Sequence, residues 1–249
     1  MTTTNLLETN MKDLLDLDRL LTAHGRDLVE NPQGDTADVY RDEYRRMGVV
    51  QVDDVLDRDR LTELAERFRK ELMPYLAIMT KPHKVLEEGG AQALGTGFLF
   101  GRADPALIRQ EQRREEMVEK FEEVGLEAFG DRLSEVLTPF VHHVIEETWP
   151  SRRVYCFIYR EGDYISAHND SQTGDRVNVQ FPVPLASSTC FRAMDEDGRF
   201  RLYYDHPGCM RILGPRVWHE VPPVLRWSPD QEPYRVLLSL RYMQREHGG

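Results

Sequence analysis

Apolar positions change their period once along this chain. In residues 6–29, Leu7, Met11, Leu14, Leu15, Leu17, Leu20 and Leu21 recur every three or four positions, which predicts one face of a helix. Asn31-Pro-Gln-Gly34 breaks it. A helix over Tyr40–Met47 is expected to stop at Gly48, with a short strand following at Val49, Val50 and Val52. Asp57 stands where it can cap a helix whose apolar face is Leu61, Leu64, Ala65, Phe68 and Leu72, and Pro74 is expected to kink or end that helix. Residues 105–124 and 131–148 also carry a helical period. Between them and Pro74, Gly89 to Gly101 is rich in glycine around Phe98, Leu99 and Phe100, and reads as a loop or a strand with a possible lid at Phe98–Arg102. After Pro150 the period becomes two. Val154–Tyr159, Arg176–Leu185, Phe200–Tyr204, Met210–Leu213, Val217–Val221 and Tyr234–Tyr242 are β-branched or aromatic runs separated by Gly/Pro turns, which predicts a sandwich or barrel.

The chain therefore reads as one domain over residues 1–249. A mainly helical preface, 1–150, leads into an all-β portion, 151–249, against which the helices bury their apolar faces. Composition adds exclusions. The 249 residues carry 32 Lys+Arg and 43 Asp+Glu, a net charge of −11, so no basic footprint for nucleic acid or an anionic membrane is expected. No apolar run reaches the roughly 18 residues of a membrane span. The acidic N-terminal stretch does not resemble a secretory leader. Cys156, Cys190 and Cys209 are odd in number and lack C-x-x-C spacing, so free thiols in a reducing cytoplasm are expected. The acidity is uneven: residues 151–249 hold 13 Lys+Arg and 12 Asp+Glu, which leaves a net −12 on residues 1–150. If acidic helices bordered a site in the β portion, they would favour a cationic or zwitterionic substrate.

Three features of the β portion carry chemistry. His168-Asn-Asp170 is a His-x-Asp pair, and residues two apart on a strand share a face. His219 follows 49 residues after Asp170. Two histidines and one carboxylate on one side of a metal leave its other positions open, which is the facial triad of non-haem Fe(II) sites. Arg235, 16 residues beyond His219, can fork onto a carboxylate, and Ser239 lies four residues on along the same strand face. Arg235 is thus a candidate anchor for a dicarboxylate cosubstrate on the metal. Tyr155, Tyr159 and Asn178 flank these strands and are further candidates to hydrogen-bond it. Arg241 is expected beyond the site. Trp218 is expected to pack in the core, and His142, His143 and His206 to be structural.

Tyr159 to Asp170 resembles the Y-x-x-G-D-x-x-x-x-H-x-D signature of the Fe(II)/2-oxoglutarate-dependent dioxygenases. Pro207 to Val221 resembles their P-G strand ending in H-x-V, and Arg235–Ser239 their closing R-x-x-x-S strand. The short strand after Met47 is similar to one that opens many such enzymes. The resemblance implies an α+β fold, a double-stranded β-helix (jelly-roll) with the N-terminal helices packed on one sheet. It implies Fe(II), 2-oxoglutarate and O2 as cofactor and cosubstrates, with His168, Asp170 and His219 on the metal and Arg235 on the C5 carboxylate. It also implies hydroxylation of an unactivated C–H bond through a ferryl species, with release of succinate and CO2. Size and helical preface loosely resemble the small free-amino-acid hydroxylases and lysine halogenases. Halogenases replace the triad carboxylate with Gly or Ala, whereas Asp170 is present here, which favours hydroxylation. In place of the family's usual Gly-Gly-x-Leu stretch stands Ser187–Gly198. The expected substrate is a small molecule, a free and possibly basic amino acid. A non-catalytic cupin-like metal-binding or sensor protein, and an oxygenase of proteins or other natural products, remain open, as does the oligomeric state.

Overall fold

A computed structural model describes residues 16–75, 77–78, 98–100, 119–120, 122–170 and 176–243. The helix expected over residues 6–29 falls partly outside these, and within them it is two. Helix α1 (Leu17–Leu20) stops because Leu21 turns extended to bridge Leu56, and Thr22 Oγ1 then accepts from Gly25 N to start α2 (Ala23–Glu30). Helix α3 (Asp35–Met47) begins earlier than expected and ends at Gly48, whose φ of 65° is the left-handed conformation that favours glycine. Helix α4 (Arg58–Leu72) is capped as expected, Asp57 Oδ1 accepting from Arg60 N at 2.9 Å. Its five apolar-face residues are all fully buried, and each large one contributes about 1.5–3 kcal/mol. A single 3₁₀ turn, Met73–Tyr75, follows at Pro74. Helix α5 (Leu126–Ile145) continues through Pro139. The helix expected over 105–124 lies mostly outside the described residues.

Thirteen strands are present among the described residues. They are β1 (Val49–Val52), β2 (Ala77–Ile78), β3 (Phe98–Phe100), β4 (Ser151–Arg160), β5 (Ile165–His168), β6 (Arg176–Leu185), β7 (Ser187–Ser188), β8 (Cys190–Met194), β9 (Phe200–Tyr204), β10 (Met210–Leu213), β11 (His219–Val221), β12 (Leu225–Arg226) and β13 (Tyr234–Met243). The major sheet runs β1-β10-β6-β13-β4-β3-β2 and the minor sheet β5-β11-β8-β9, while β12 and β7 form a ribbon. Every pairing is antiparallel. Three strands of the preface, β1, β2 and β3, therefore extend the major sheet. The glycine-rich segment is a strand at Phe98–Phe100, while Gly101 and Arg102 of the expected lid lie outside the described residues.

Alternation splits β13 between two cores. Val236, Leu238, Leu240 and Tyr242 join the helices α1–α5 in one apolar cluster on the outer face of the major sheet. Leu237 faces the other way, into a smaller cluster with Phe157, Tyr159 and Leu213 of the major sheet and Phe191, Ala193 and Val221 of the minor one. The described helices thus back the major sheet on the face opposite the inter-sheet space. Gly130 lets α5 approach that sheet: a Cβ there would stand 1.8 Å from Val154 Cγ2, and valine cannot swing aside. Gly130→Ala is expected to lower stability by about 1–3 kcal/mol through overpacking, read as a lower urea midpoint at unchanged m.

Candidate metal and carboxylate site

The inter-sheet space holds an unusual set of polar residues. His168, at the end of β5, and His219, at the start of β11, are direct cross-strand partners with ring centroids 4.3 Å apart. Asp170 follows β5, where its backbone N–H donates to Pro215 O. One ligand atom from each of His168, Asp170 and His219 lies within 4.8 Å of the others, a separation that one metal ion can bridge. The expected strand over Val217–Val221 starts only at His219. The reason is local: Val217 turns its carbonyl to His219 Nδ1, 2.9 Å away. A carbonyl can only accept, so Nδ1 carries the proton and Nε2 keeps the lone pair a metal needs. Burial depresses the His219 pKa against the pull of Asp170, so the ring is held neutral, the ligating form.

Asp170 is tied down on both oxygens. Arg176 Nη2 donates to Oδ1 at 2.6 Å and Asn178 Nδ2 to Oδ2 at 2.6 Å. Burial alone would raise its pKa, but Arg176, His219 and Arg241 outweigh burial and hold the carboxyl well below the usual range. Each carboxylate oxygen retains a second lone pair for a metal. Asn178, expected against a cosubstrate, donates to the carboxylate of Asp170.

Arg235 enters the same inner face from the start of β13 and is completely buried. Its Nε donates to Asp205 Oδ2 at 2.6 Å, and its Cζ lies 5.0 Å from the centroid of the Tyr159 ring. Neither Nη1 nor Nη2 has a hydrogen-bond partner among the described residues. Two buried, unpaired guanidinium donors in a fork are costly unless an acceptor such as a carboxylate meets them. Ser239, 2% exposed, follows on the same face. The sequence reading missed two partners. Asp205 also accepts from Arg211 Nη2 at 2.9 Å, and from Thr189 Oγ1 at 2.9 Å, so two arginines share one carboxylate with net positive charge. Arg211 stands 4.4 Å over Phe191, which stacks on His219 at 5.3 Å, linking the arginine cluster to the metal ligands. An arginine inside the otherwise apolar run Cys209-Met-Arg-Ile-Leu213 was the available signal.

Burial raises the Asp205 pKa, but Arg235 and Arg211 prevail and bring it from 3.8 to about 2. Its folded value is depressed, so its stabilising contribution is complete above the unfolded value and is lost as pH falls through the folded one. Wild type is expected to lose stability between about pH 4 and pH 2 from this group, and Asp205→Asn to lack that component, in urea midpoints measured against pH.

Arg241 does not lie beyond the site. It is the cross-strand partner of Asn178 and of Arg153, and its Cζ sits 4.1 Å from the Tyr155 ring centroid. Trp218 is 40% exposed rather than packed in the core. Among the other histidines, His143 pairs with Asp38 at 2.7 Å, His206 with Asp53 at 2.9 Å, and His142 accepts from Trp149 N, all away from the triad. The acidic preface does not border the site through its described helices, which lie behind the major sheet.

Two sheets in this order, with a His-Asp-His cluster between them, define a double-stranded β-helix with the donor set of a facial-triad metal centre. Solved structures with the same fold include a Pseudomonas putida prolyl-4-hydroxylase (TM-score 0.55, 16% identity, covering 84% of this chain and 99% of that one). A Trichoplax adhaerens prolyl hydroxylase in complex with a hypoxia inducible factor peptide is similar over 91% of this chain and 96% of its own, at TM-score 0.53 and 11% identity. The non-haem α-ketoglutarate-dependent carbocyclase SnoK of nogalamycin biosynthesis is similar over 89% and 90%, at TM-score 0.54 and 12% identity. No family model and no curated protein matches the sequence significantly. No helix among the described residues is long and apolar enough to cross a membrane.

Proposed function

We propose that the protein is an Fe(II)- and 2-oxoglutarate-dependent oxygenase that hydroxylates an unactivated C–H bond of a small molecule. The observation that carries this reading is the pairing of the His168/Asp170/His219 cluster with the unpaired guanidinium fork of Arg235 on one inner face. The donor set fits iron: two imidazoles, one held neutral, and a carboxylate kept ionised. The fork fits a carboxylate, since Asp205 takes Nε and leaves both Nη groups to donate.

Iron with 2-oxoglutarate and O2 supplies the oxidising chemistry, and succinate and CO2 are its by-products. The chain's part is to place the reactants. His168, Asp170 and His219 would hold the metal through one atom each. Arg235 would anchor the far carboxylate of the cosubstrate; Asp205 and Tyr159 fix the plane of that guanidinium, and Arg211 adds a second cation beside it. Asn178 and Arg176 keep Asp170 aimed at the metal. Phe157, Phe191 and Leu237 are buried in the apolar cluster on the same face and would limit water near a bound cosubstrate.

For the substrate, a free amino acid is the first class to test, because its α-carboxylate suits the arginines at the metal end of the face. Succinate release is measured with Fe(II), 2-oxoglutarate and O2 against panels of amino acids, peptides and other carboxylic acids. Stimulation by one small molecule, with a product heavier by one oxygen atom, supports the reading. A metal- and 2-oxoglutarate-binding protein that releases no succinate with any panel supports a sensor instead.

A further inference from the structure

The metal end of the inner face carries more positive charge than the site described so far uses. Arg176 and Asn178 on β6, Arg241 on β13 and Tyr155 and Arg153 on β4 are cross-strand neighbours on that face: Arg241 stands opposite both Asn178 and Arg153, and Arg176 opposite Met243 two residues on. Among the described residues the carboxylate beside them is Asp170, which already accepts from Arg176 and Asn178 and belongs to the candidate metal cluster. Arg241 makes no ion pair with a described residue. Its Nε, and that of Arg176, are buried without a hydrogen-bond partner among the described residues. Stacking over Tyr155 at 4.1 Å, with Phe157 at 5.3 Å, fixes the plane of the Arg241 guanidinium. A flexible surface arginine would not be held in this way.

We infer that Arg241, with Arg176 beside it, is a second anion site at the metal end of the inner face, and that it takes a carboxylate of the substrate. The inference rests on the oxygenase reading and deepens it by naming a substrate class. The cosubstrate's distal carboxylate belongs to Arg235, six residues back along β13. Both are on one strand face, about 20 Å apart along the extended backbone at 3.3 Å per residue, so Arg241 stands at the other end of the face from the anchor of that distal carboxylate. The two cations also raise each other's need for an anion: burial and the nearby Arg176 pull the Arg241 pKa down to about 10. The charge split of the sequence favoured a cationic or zwitterionic substrate if acidic helices bordered the site; the described helices lie behind the major sheet instead, and Arg153, Arg176 and Arg241 outnumber Asp170 at the metal end, which favours a substrate with a carboxylate there.

The test uses the full chain with Co(II) in place of iron. 2-Oxoglutarate is titrated first, and acetate, a monocarboxylate probe, is then titrated into the saturated complex. Calorimetry and the visible cobalt spectrum follow both steps, and acetamide is the uncharged control. Acetate is expected to bind the wild-type complex saturably and acetamide not. Arg241→Gln is expected to weaken acetate by about tenfold or more and to leave 2-oxoglutarate affinity within about twofold. Should the glutamine variant not fold, Arg241→Lys, which keeps charge and loses the fork, is expected to weaken acetate less but in the same direction. A wild-type complex that takes no acetate overturns the inference. So does an Arg241 variant that loses 2-oxoglutarate as severely as an Arg235 variant, because Arg241 would then serve the cosubstrate's own carboxylate at the metal. Wild type that binds neither Co(II) nor 2-oxoglutarate overturns the oxygenase reading and this inference together, whereas binding of both without acetate overturns this inference alone.

Discussion

Replacing His219 by alanine is expected to abolish tight Fe(II) binding while leaving a folded chain. Loss of a group that merely orients a metal ligand costs about 10–100-fold in affinity, so removing a ligand outright is expected to exceed about 100-fold. His219 is buried between His168 and Phe191, so the alanine variant also opens a small cavity. His219→Gln retains most of the volume and cannot supply the same nitrogen donor. Both variants are therefore expected to lose metal to a similar degree, read by anaerobic equilibrium dialysis, with circular dichroism to confirm folding. Metal affinity that survives in a folded glutamine variant would remove His219 from the metal. Asp170→Ala is expected to behave likewise, and it additionally leaves Arg176 and Asn178 without their acceptor.

The second large effect concerns the cosubstrate. Arg235→Met is expected to weaken 2-oxoglutarate binding by about 2–5 kcal/mol, from about 30-fold to a few thousand-fold, because a buried charge-assisted fork is lost. Metal affinity is expected to stay close to wild type, since Arg235 ends on Asp205 and touches no triad residue. The methionine side chain has similar length and no charge, so Asp205 remains compensated by Arg211. Arg235→Lys restores the charge but not the two parallel donors, and an intermediate affinity is expected. Calorimetric titration of the Co(II) protein with 2-oxoglutarate measures all three. Equal affinity in wild type and Arg235→Met would mean that the fork has another purpose.

Local patterns carried much of this in the sequence. The strands of the β portion follow an alternation that needs no knowledge of neighbours, and Asp57 and Gly48 act as cap and stop through backbone chemistry that any chain shares. The His-x-Asp pair and the distant His219 were legible as residue types of a metal site, while the β5–β11 pairing that brings His168 and His219 together, with Asp170 just past the end of β5, is a matter of the fold. What was not legible depends on which face of which sheet a residue meets. Asp205 sits at a strand end in an unremarkable Tyr-Asp-His context, and its role exists only because β10 and β13 bring Arg211 and Arg235 to it. Arg241 looked too distant from the metal when residues were counted along one strand. The cross-strand register sets it beside Asn178, and so beside Asp170. The bond from Asn178 to Asp170 was likewise not legible, since it needs the fold that brings β6 against the end of β5. The single long N-terminal helix divided because Leu21 found a partner in Leu56, a contact across more than thirty residues that periodicity does not encode.

On the proposed reading, one metal and one 2-oxo acid meet between His168, Asp170, His219 and Arg235. Anaerobic addition of Fe(II) and then 2-oxoglutarate to the wild-type protein tests it most directly. The weak visible charge-transfer band of a 2-oxo acid chelated to Fe(II) is expected, saturating at one equivalent of each, absent in His219→Gln and shifted to higher 2-oxoglutarate concentration in Arg235→Met. A folded wild-type protein that binds Fe(II) but shows no such band at any 2-oxoglutarate concentration would contradict it.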